Sequence, residues 1–275
     1  MLGVPVRFSF FVCRLAVLMG CVSGLPAEAA DAFEPIYAVD FRQTPTLDPQ
    51  FWGRITGVSP SHQVTYTEGD HNLAFADGVL RLEARSQWLP NPLHNHPKAP
   101  ADQAAIAGRA ISSANVVSKT YFQYGRFEVV ARVPDSAGSH PAIWLQGKNQ
   151  GQYGEIDIME GIGRKALGVG FVTVHYGQAV GALAKQTASW PVSAGFHRYT
   201  LEWIPDRIQV FYDGVSVLSV SPDLGKVDGR DALRQPMQLR LNLAMGSRWS
   251  GDPDLAALPV RFDVQSVKIW RYVPL

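Results

Sequence analysis

Between Gly154 and Gly161 the chain reads Gly-Glu-Ile-Asp-Ile-Met-Glu-Gly, with three carboxylates inside six residues. In an extended strand successive side chains point to opposite faces, so Glu155, Asp157 and Met159 share one face and Ile156, Ile158 and Glu160 the other. That register sends a glutamate into the core beside two isoleucines, at a high desolvation cost. One extra residue at Ile158 or Met159, a β-bulge, returns Glu160 to the face of Glu155 and Asp157. Three acids so close repel one another, a cost with no return in folding, which marks a site. Clustered carboxylates suit retaining glycoside hydrolysis, in which one attacks the anomeric carbon while a protonated neighbour about 5–5.5 Å away protonates the leaving oxygen. A straight strand advances roughly 3.3 Å per residue, so bulge, curvature and long Glu side chains must close the gap. Asp157 between them supplies a further charge or a hydrogen bond that keeps the acid protonated. The competing reading of these six residues alone is a solvated edge strand whose acids face water.

The elements that must position these acids are strands. Alternating runs occur at Val79–Ala84, Arg126–Val133, Glu155–Glu160, Phe171–Tyr176, Arg198–Ile204, Arg207–Tyr212, Val215–Val220, Met237–Ala244 and Val260–Tyr272. Asp77-Gly78, Pro205-Asp206 and Asp213-Gly214 punctuate them as turns. No segment carries a capped helical period, so the expectation is an all-β fold, a β-sandwich or jelly roll of antiparallel sheets in one domain. Trp88–Arg109, with four prolines, and Ser221–Pro236 read as loops, the second holding a short helix.

At 275 residues and 46% hydrophobic content the chain can bury a large core. With 25 Lys+Arg against 24 Asp+Glu it lacks the basic excess that nucleic-acid binding needs. No apolar stretch long enough to span a membrane follows residue 30. Residues 1–29 read as a signal peptide: Arg7 and Arg14, an apolar Leu15–Val22, and Ala27-Glu28-Ala29 as the small-x-small cleavage pattern. Residues 30–275 then form the single domain, secreted or periplasmic, net neutral and without cysteine, because Cys13 and Cys21 leave with the leader. A second reading takes Leu18-Met19-Gly20-Cys21 as a box for lipidation of Cys21, and a third makes the segment a buried helix.

The acidic octapeptide, taken with its neighbours, resembles glycoside hydrolase family 16 in its bulged, laminarinase-like form. Tyr124–Val129 and Pro141-Ala142-Ile143-Trp144 resemble the two family strands before the signature, and Phe196–Trp203 with Pro205–Ile208 the pair after it. Asn242–Gly246 with Trp249, and Val267–Trp270, complete an ordered match over roughly residues 39–272. The resemblance implies a jelly roll of two curved antiparallel sheets with a concave cleft. It makes Glu155 the nucleophile, Asp157 the assisting acid and Glu160 the general acid/base, with Trp144 a stacking platform for a sugar ring and His175 near the catalytic strand. Tyr153 occupies the region where laminarinase-like members commonly carry Trp, and Asn115 the place of an Arg, so both bear on substrate choice. Trp249 reads as an exposed ring in a Gly-Ser-Arg-Trp-Ser-Gly loop. Many members hold a structural calcium through an Asp in the last strand. Here Gln265 aligns with it and Asp263 is nearby, so no cofactor is required and the ion stays open.

The expected activity is endo-hydrolysis of β-1,3- or mixed β-1,3/1,4-glucan by a monomer, with a polysaccharide as its only partner. The rivals are a hydrolase or transglycosylase of a galactan or bacterial exopolysaccharide, and a non-catalytic carbohydrate-binding jelly roll, which the presence of both glutamates disfavours. Other motifs fail on context. Gly161-Ile162-Gly163-Arg164-Lys165-Ala166 fits a dinucleotide fingerprint but opens no helix, and His94-Asn95-His96 lies among prolines without an acidic ligand, so no metal site is expected.

Overall fold

The computed structural model describes residues 32–148, 152–163, 168–177, 184–192, 194–227 and 229–274. The leader with Cys13 and Cys21, the stretch Asn149–Gly151, and Arg164–Ala166 of the dinucleotide-like motif lie outside these residues. Two large sheets make up the domain. Numbered along the chain, the strands of the smaller sheet lie in the order β13 (Ala184–Pro191), β12 (Val169–Gly177), β11 (Tyr153–Glu160), β10 (Ser139–Gly147), β19 (Met237–Met245), β8 (Asn115–Ser118) and β2 (Trp52–Arg54), every pair antiparallel. The larger sheet runs β16 (Val215–Val220), β15 (Arg207–Tyr212), β14 (His197–Ile204), β9 (Gly125–Arg132), β20 (Val260–Val273), β6 (Val79–Pro90), β7 (Gly108–Ser113), β4 (Thr65–Tyr66) and β3 (Gly57–Val58). On its flanks β1 (Ala32–Asp40) pairs with β20 and β5 (Leu73–Ala76) with β6.

Alternation drives the packing. Ile156 of β11, Leu145 of β10 and Leu241 of β19 turn into the space between the sheets. There they join Phe127 and Val129 of β9, Tyr199, Leu201 and Trp203 of β14, and Val267 and Ile269 of β20 in one buried cluster. Each large side chain of this kind contributes on the order of 1.5–3 kcal/mol by leaving water. Asp77-Gly78 between β5 and β6 and Asp213-Gly214 between β15 and β16 have φ of 55° and 75°, and of 50° and 85°. Left-handed values at both central residues are what a two-residue hairpin needs to match strand twist. Pro205-Asp206 joins β14 to β15 with Ile204 opposite Arg207.

Two expectations need correcting. Within Ser221–Pro236 the helix is a single 3-10 turn, Pro222–Gly225, followed by a small ladder of β17 (Lys226–Val227) and β18 (Arg230–Asp231). The Trp88–Arg109 loop is shorter than its prolines imply. Trp88–Pro90 still belong to β6, one helical turn α1 (Ala101–Ala104) follows, and Gly108 already opens β7. Prolines are tolerated at such strand ends because the missing N–H costs no ladder bond there.

Candidate active site

The centre of the smaller sheet carries the acids. Against β10, Trp144 pairs with Asp157 and Ile143 with Met159, so Ile158 is the extra residue. Against β12, Asp157 pairs with Thr173 and Glu160 with Phe171, leaving Ile158 and Met159 opposite one residue. This is a β-bulge, and its cause is burial: Ile156, Ile158 and Met159 are all fully enclosed in the core. With two adjacent side chains pointing inward, Glu160 swings back to the face of Glu155 and Asp157. The three acids then line one open cleft of about 380 Å³, together with Trp144, Tyr153, Asn115 and Arg240.

The carboxyls differ in environment. Glu155 is half-buried and takes a short hydrogen bond from the Tyr153 hydroxyl, itself held by Gln146 Nε2 at 3.2 Å. Burial pushes Glu155 up to about 7, against the Tyr153 hydrogen bond and the Arg240 charge, which favour its ionised form, while Glu160 adds to the rise. Burial, with Glu155 and Glu160 on either side, holds Asp157 well above the ordinary carboxylate range. Asp157 Oδ2 is enclosed without an aligned hydrogen-bond donor among the described residues, and His175 Nε2 is 3.3 Å away. Burial and the flanking glutamates thus favour the neutral form of Asp157. The same His175 nitrogen lies 3.7 Å from Glu155 Oε1.

The remaining expected site residues divide between the wall and the rim. Trp144 donates from Nε1 to Asn242 Oδ1 at 2.6 Å, and the Arg240 guanidinium sits 4.9 Å from its ring centroid, covering one face. A sugar can therefore stack only on the other. Asn115 is buried opposite Asn242 and lines the cleft, its Oδ1 without a hydrogen-bond partner among the described residues. Trp249 is exposed at the rim, edge-on to His140 and Phe171 at centroid distances of 5.1 and 5.2 Å. His94 and His96 are both exposed in the loop before α1.

Three cleft residues escaped the reading of the sequence. His140 Nε2 contacts Glu160 Oε1 at 3.0 Å, and His62 Nε2 contacts His140 Nδ1 at 3.1 Å. The Arg240 charge favours the ionised form of Glu155. Strand alternation back from Trp144 does put His140 on the cleft face, whereas His62 comes from a loop 78 residues upstream of His140, with no local signal.

The calcium ligands that the family resemblance raises do not fit. Asp263 is buried, and Arg81 Nε at 2.7 Å and Arg132 at 2.6 Å occupy its two carboxylate oxygens. Gln265 offers only a neutral amide. Two guanidiniums on the one carboxylate stand where a divalent cation would have to bind.

With the geometry in hand, the lineage follows. The family model for glycosyl hydrolases family 16 matches residues 61–261. A β-glucanase of Rhodothermus marinus is 30% identical over 94% of this chain and 93% of its own length. The chain belongs to glycosyl hydrolase family 16 and is an O-glycosyl hydrolase. Its fold superposes on the laminarinase structure from Rhodothermus marinus with a TM-score of 0.70 at 27% identity, covering 89% of this chain and 100% of that one. It superposes with a TM-score of 0.76, again at 27% identity and over 89% and 92% of the two chains, on a structure from work on endo-acting O-glycanases with which gut bacteria initiate mucin breakdown.

Proposed function

We propose that the enzyme is a retaining endo-hydrolase of β-1,3- or mixed β-1,3/1,4-glucan, with Glu155 as nucleophile and Glu160 as general acid/base. The observation that carries this reading is the bulge at Ile158–Met159, which sets both glutamates and Asp157 on one wall of one open cleft. Glu155, held by Tyr153, attacks the anomeric carbon while Glu160 gives its proton to the leaving oxygen; Glu160 then takes a proton from the water that releases the glycosyl-enzyme. Asp157, protonated by burial, supplies a hydrogen bond between the two and no third charge. The open face of Trp144 stacks on a pyranose, and Trp249 extends the binding surface at the rim.

The test is release of reducing ends from laminarin, lichenan, agarose and carrageenan, with Glu155→Gln as the blank and the anomer of the first product read by NMR. Release from laminarin or lichenan with a β product supports the proposal, and an α product overturns the retaining mechanism. Release only from a galactan would keep the mechanism and replace the substrate. Tyr153 beside the nucleophile and the half-buried Arg240 guanidinium at the platform favour that second reading, a hydrolase or transglycosylase of another polysaccharide.

Tyr153→Phe provides a pH test. Its hydroxyl stabilises ionised Glu155, so removing it leaves burial less opposed and raises the pH at which Glu155 ionises. The acidic limb of kcat/KM is expected to move up by about one unit or more, the scale of a hydrogen bond to a charged group. A limb that stays put would show that Glu155 is not the group titrating there.

We further propose that the domain works outside the cytoplasm as a monomer once residues 1–29 are removed. N-terminal mass analysis of the exported protein and its elution volume test both points, and lipid on Cys21 would show as added mass. No described helix is long and apolar enough to cross a membrane. We also propose that no structural ion is needed: chelator or added calcium is expected to leave the melting temperature unchanged, because Arg81 and Arg132 already neutralise Asp263.

A further inference from the structure

We propose that Glu160, His140 and His62 form one proton relay, in which the two imidazoles are positioning residues that carry the carboxyl proton to and from solvent. The inference rests on Glu160 being the acid/base of the reaction proposed above. A continuous chain of contacts supports it: Glu160 Oε1 to His140 Nε2 at 3.0 Å, His140 Nδ1 to His62 Nε2 at 3.1 Å, and His62 Nδ1 to Ser61 Oγ at 3.0 Å and Ser59 Oγ at 3.1 Å. The outer end leads away from the catalytic cleft. His62 and Ser61 line both that cleft and a second cavity of about 470 Å³ bounded by Arg109, Arg248 and Asp252, and Ser61 is exposed. Protons can therefore reach Glu160 while a polysaccharide fills the cleft.

Each imidazole has one N–H when neutral, and the chain then has two self-consistent arrangements. With Glu160 ionised, His140 Nε2–H donates to it and His62 Nε2–H donates to His140 Nδ1. One proton entering at His62 Nδ1 from water through Ser61 pushes the His62 Nε2 proton to His140 Nδ1, and the His140 Nε2 proton to Glu160. The products are a neutral carboxyl and two neutral Nδ1–H imidazoles, so one proton has been gained and no charge left on a ring. His62 is suited to pass the proton rather than keep it, since burial, then His140 and Arg109, hold it down to about 4.

The other groups around the chain are accounted for. Glu155 and Asp157 on β11 crowd Glu160, and the Tyr212 hydroxyl on β15 feels its charge. His175 on β12 and Arg240 on β19 face Glu155 and Asp157. Arg109 on β7 is the cation beside His62. The Trp249 edge closes over His140. The proton rests on Glu160 in one arrangement and is absent in the other, with no ring charged in either, so the imidazoles pass it without keeping it.

The decisive experiment is a nitrogen-15 NMR titration of the histidines in Glu155→Gln, a folded form that needs no substrate. As Glu160 takes its proton, followed by its carboxyl carbon-13 shift, His140 and His62 are expected to exchange Nε2–H for Nδ1–H together. A His140 that keeps one tautomer, or becomes doubly protonated, across that titration overturns the proposal. In His140→Gln, which keeps a hydrogen-bonding amide, kcat on polysaccharide is expected to fall about tenfold or more with KM little changed, because Glu160 loses its path for reprotonation. The glycosylation rate on a nitrophenyl glycoside, whose leaving group needs no acid, should stay within about twofold of wild type. An unchanged kcat on polysaccharide, or equal losses on both substrates, also overturns it. A concerted tautomer switch in a protein that cleaves no glycan would instead remove the proposed function and leave the relay standing.

Discussion

Glu155→Gln is expected to lower kcat on polysaccharide by on the order of 10⁴-fold or more, because the covalent route loses its nucleophile while size and hydrogen bonding are kept. The amide can still accept the Tyr153 hydrogen bond, so melting temperature and glycan binding should match wild type. Burial already pushes Glu155 up to about 7, so an uncharged side chain there even relieves an electrostatic cost. The stronger check uses Glu155→Ala with azide, which fits the space left by the carboxylate and should yield a glycosyl azide of inverted configuration. Wild-type turnover by Glu155→Gln, or rescue with retained configuration, would remove Glu155 from the nucleophile's role.

Glu160→Ala should cost about 10²- to 10⁴-fold in kcat on polysaccharide, the range for losing a positioned general acid/base. Its signature is dependence on the leaving group. A nitrophenolate departs without a proton, so an activated aryl glycoside should still glycosylate Glu155. Release of that intermediate, which needs Glu160 as base, becomes slow. The expected record is a burst of nitrophenol, a glycosyl-enzyme visible by mass spectrometry, and azide rescue giving the retained sugar azide. Equal losses on aryl and natural substrates, with no burst, would mean that Glu160 serves structure and not proton transfer. The two azide products distinguish the carboxylates by opposite stereochemistry in one assay.

The two variants also bear on how the bulge works. Glu160 reaches the cleft only because Ile158 and Met159 both turn inward, and their complete burial stabilises that kink. The octapeptide shows this conflict openly: strict alternation sends Glu160 among isoleucines, and desolvation forbids it. The bulge was therefore legible in the residues, as were the hairpin turns at Asp77-Gly78 and Asp213-Gly214, where left-handed backbone favours those residue types. The strands that sequence alternation does not mark include β1, β2, β5, β7, β8, β10 and β13, among them the outer strands of the smaller sheet, together with the two-residue strands β3, β4, β17 and β18. In β1, Ala32-Phe-Glu-Pro-Ile has no clean period, and pairing with β20 holds it in place through a register shift between Pro35 and Tyr37.

Residue types and their order along the chain were enough to establish an all-β fold and a carboxylate strand with its kink. Those are local properties, since side-chain alternation and the cost of burying charge act within a few residues. The surroundings of the carboxylates were decided only by the tertiary structure. It brings Arg240 from β19 over Trp144, His175 from β12 to Asp157, and two arginines onto Asp263. It also sets His62 against His140, from a loop whose sequence says nothing of Glu160. Burial and hydrogen-bond partners set the charge of an acid, and both depend on contacts between residues far apart in the chain.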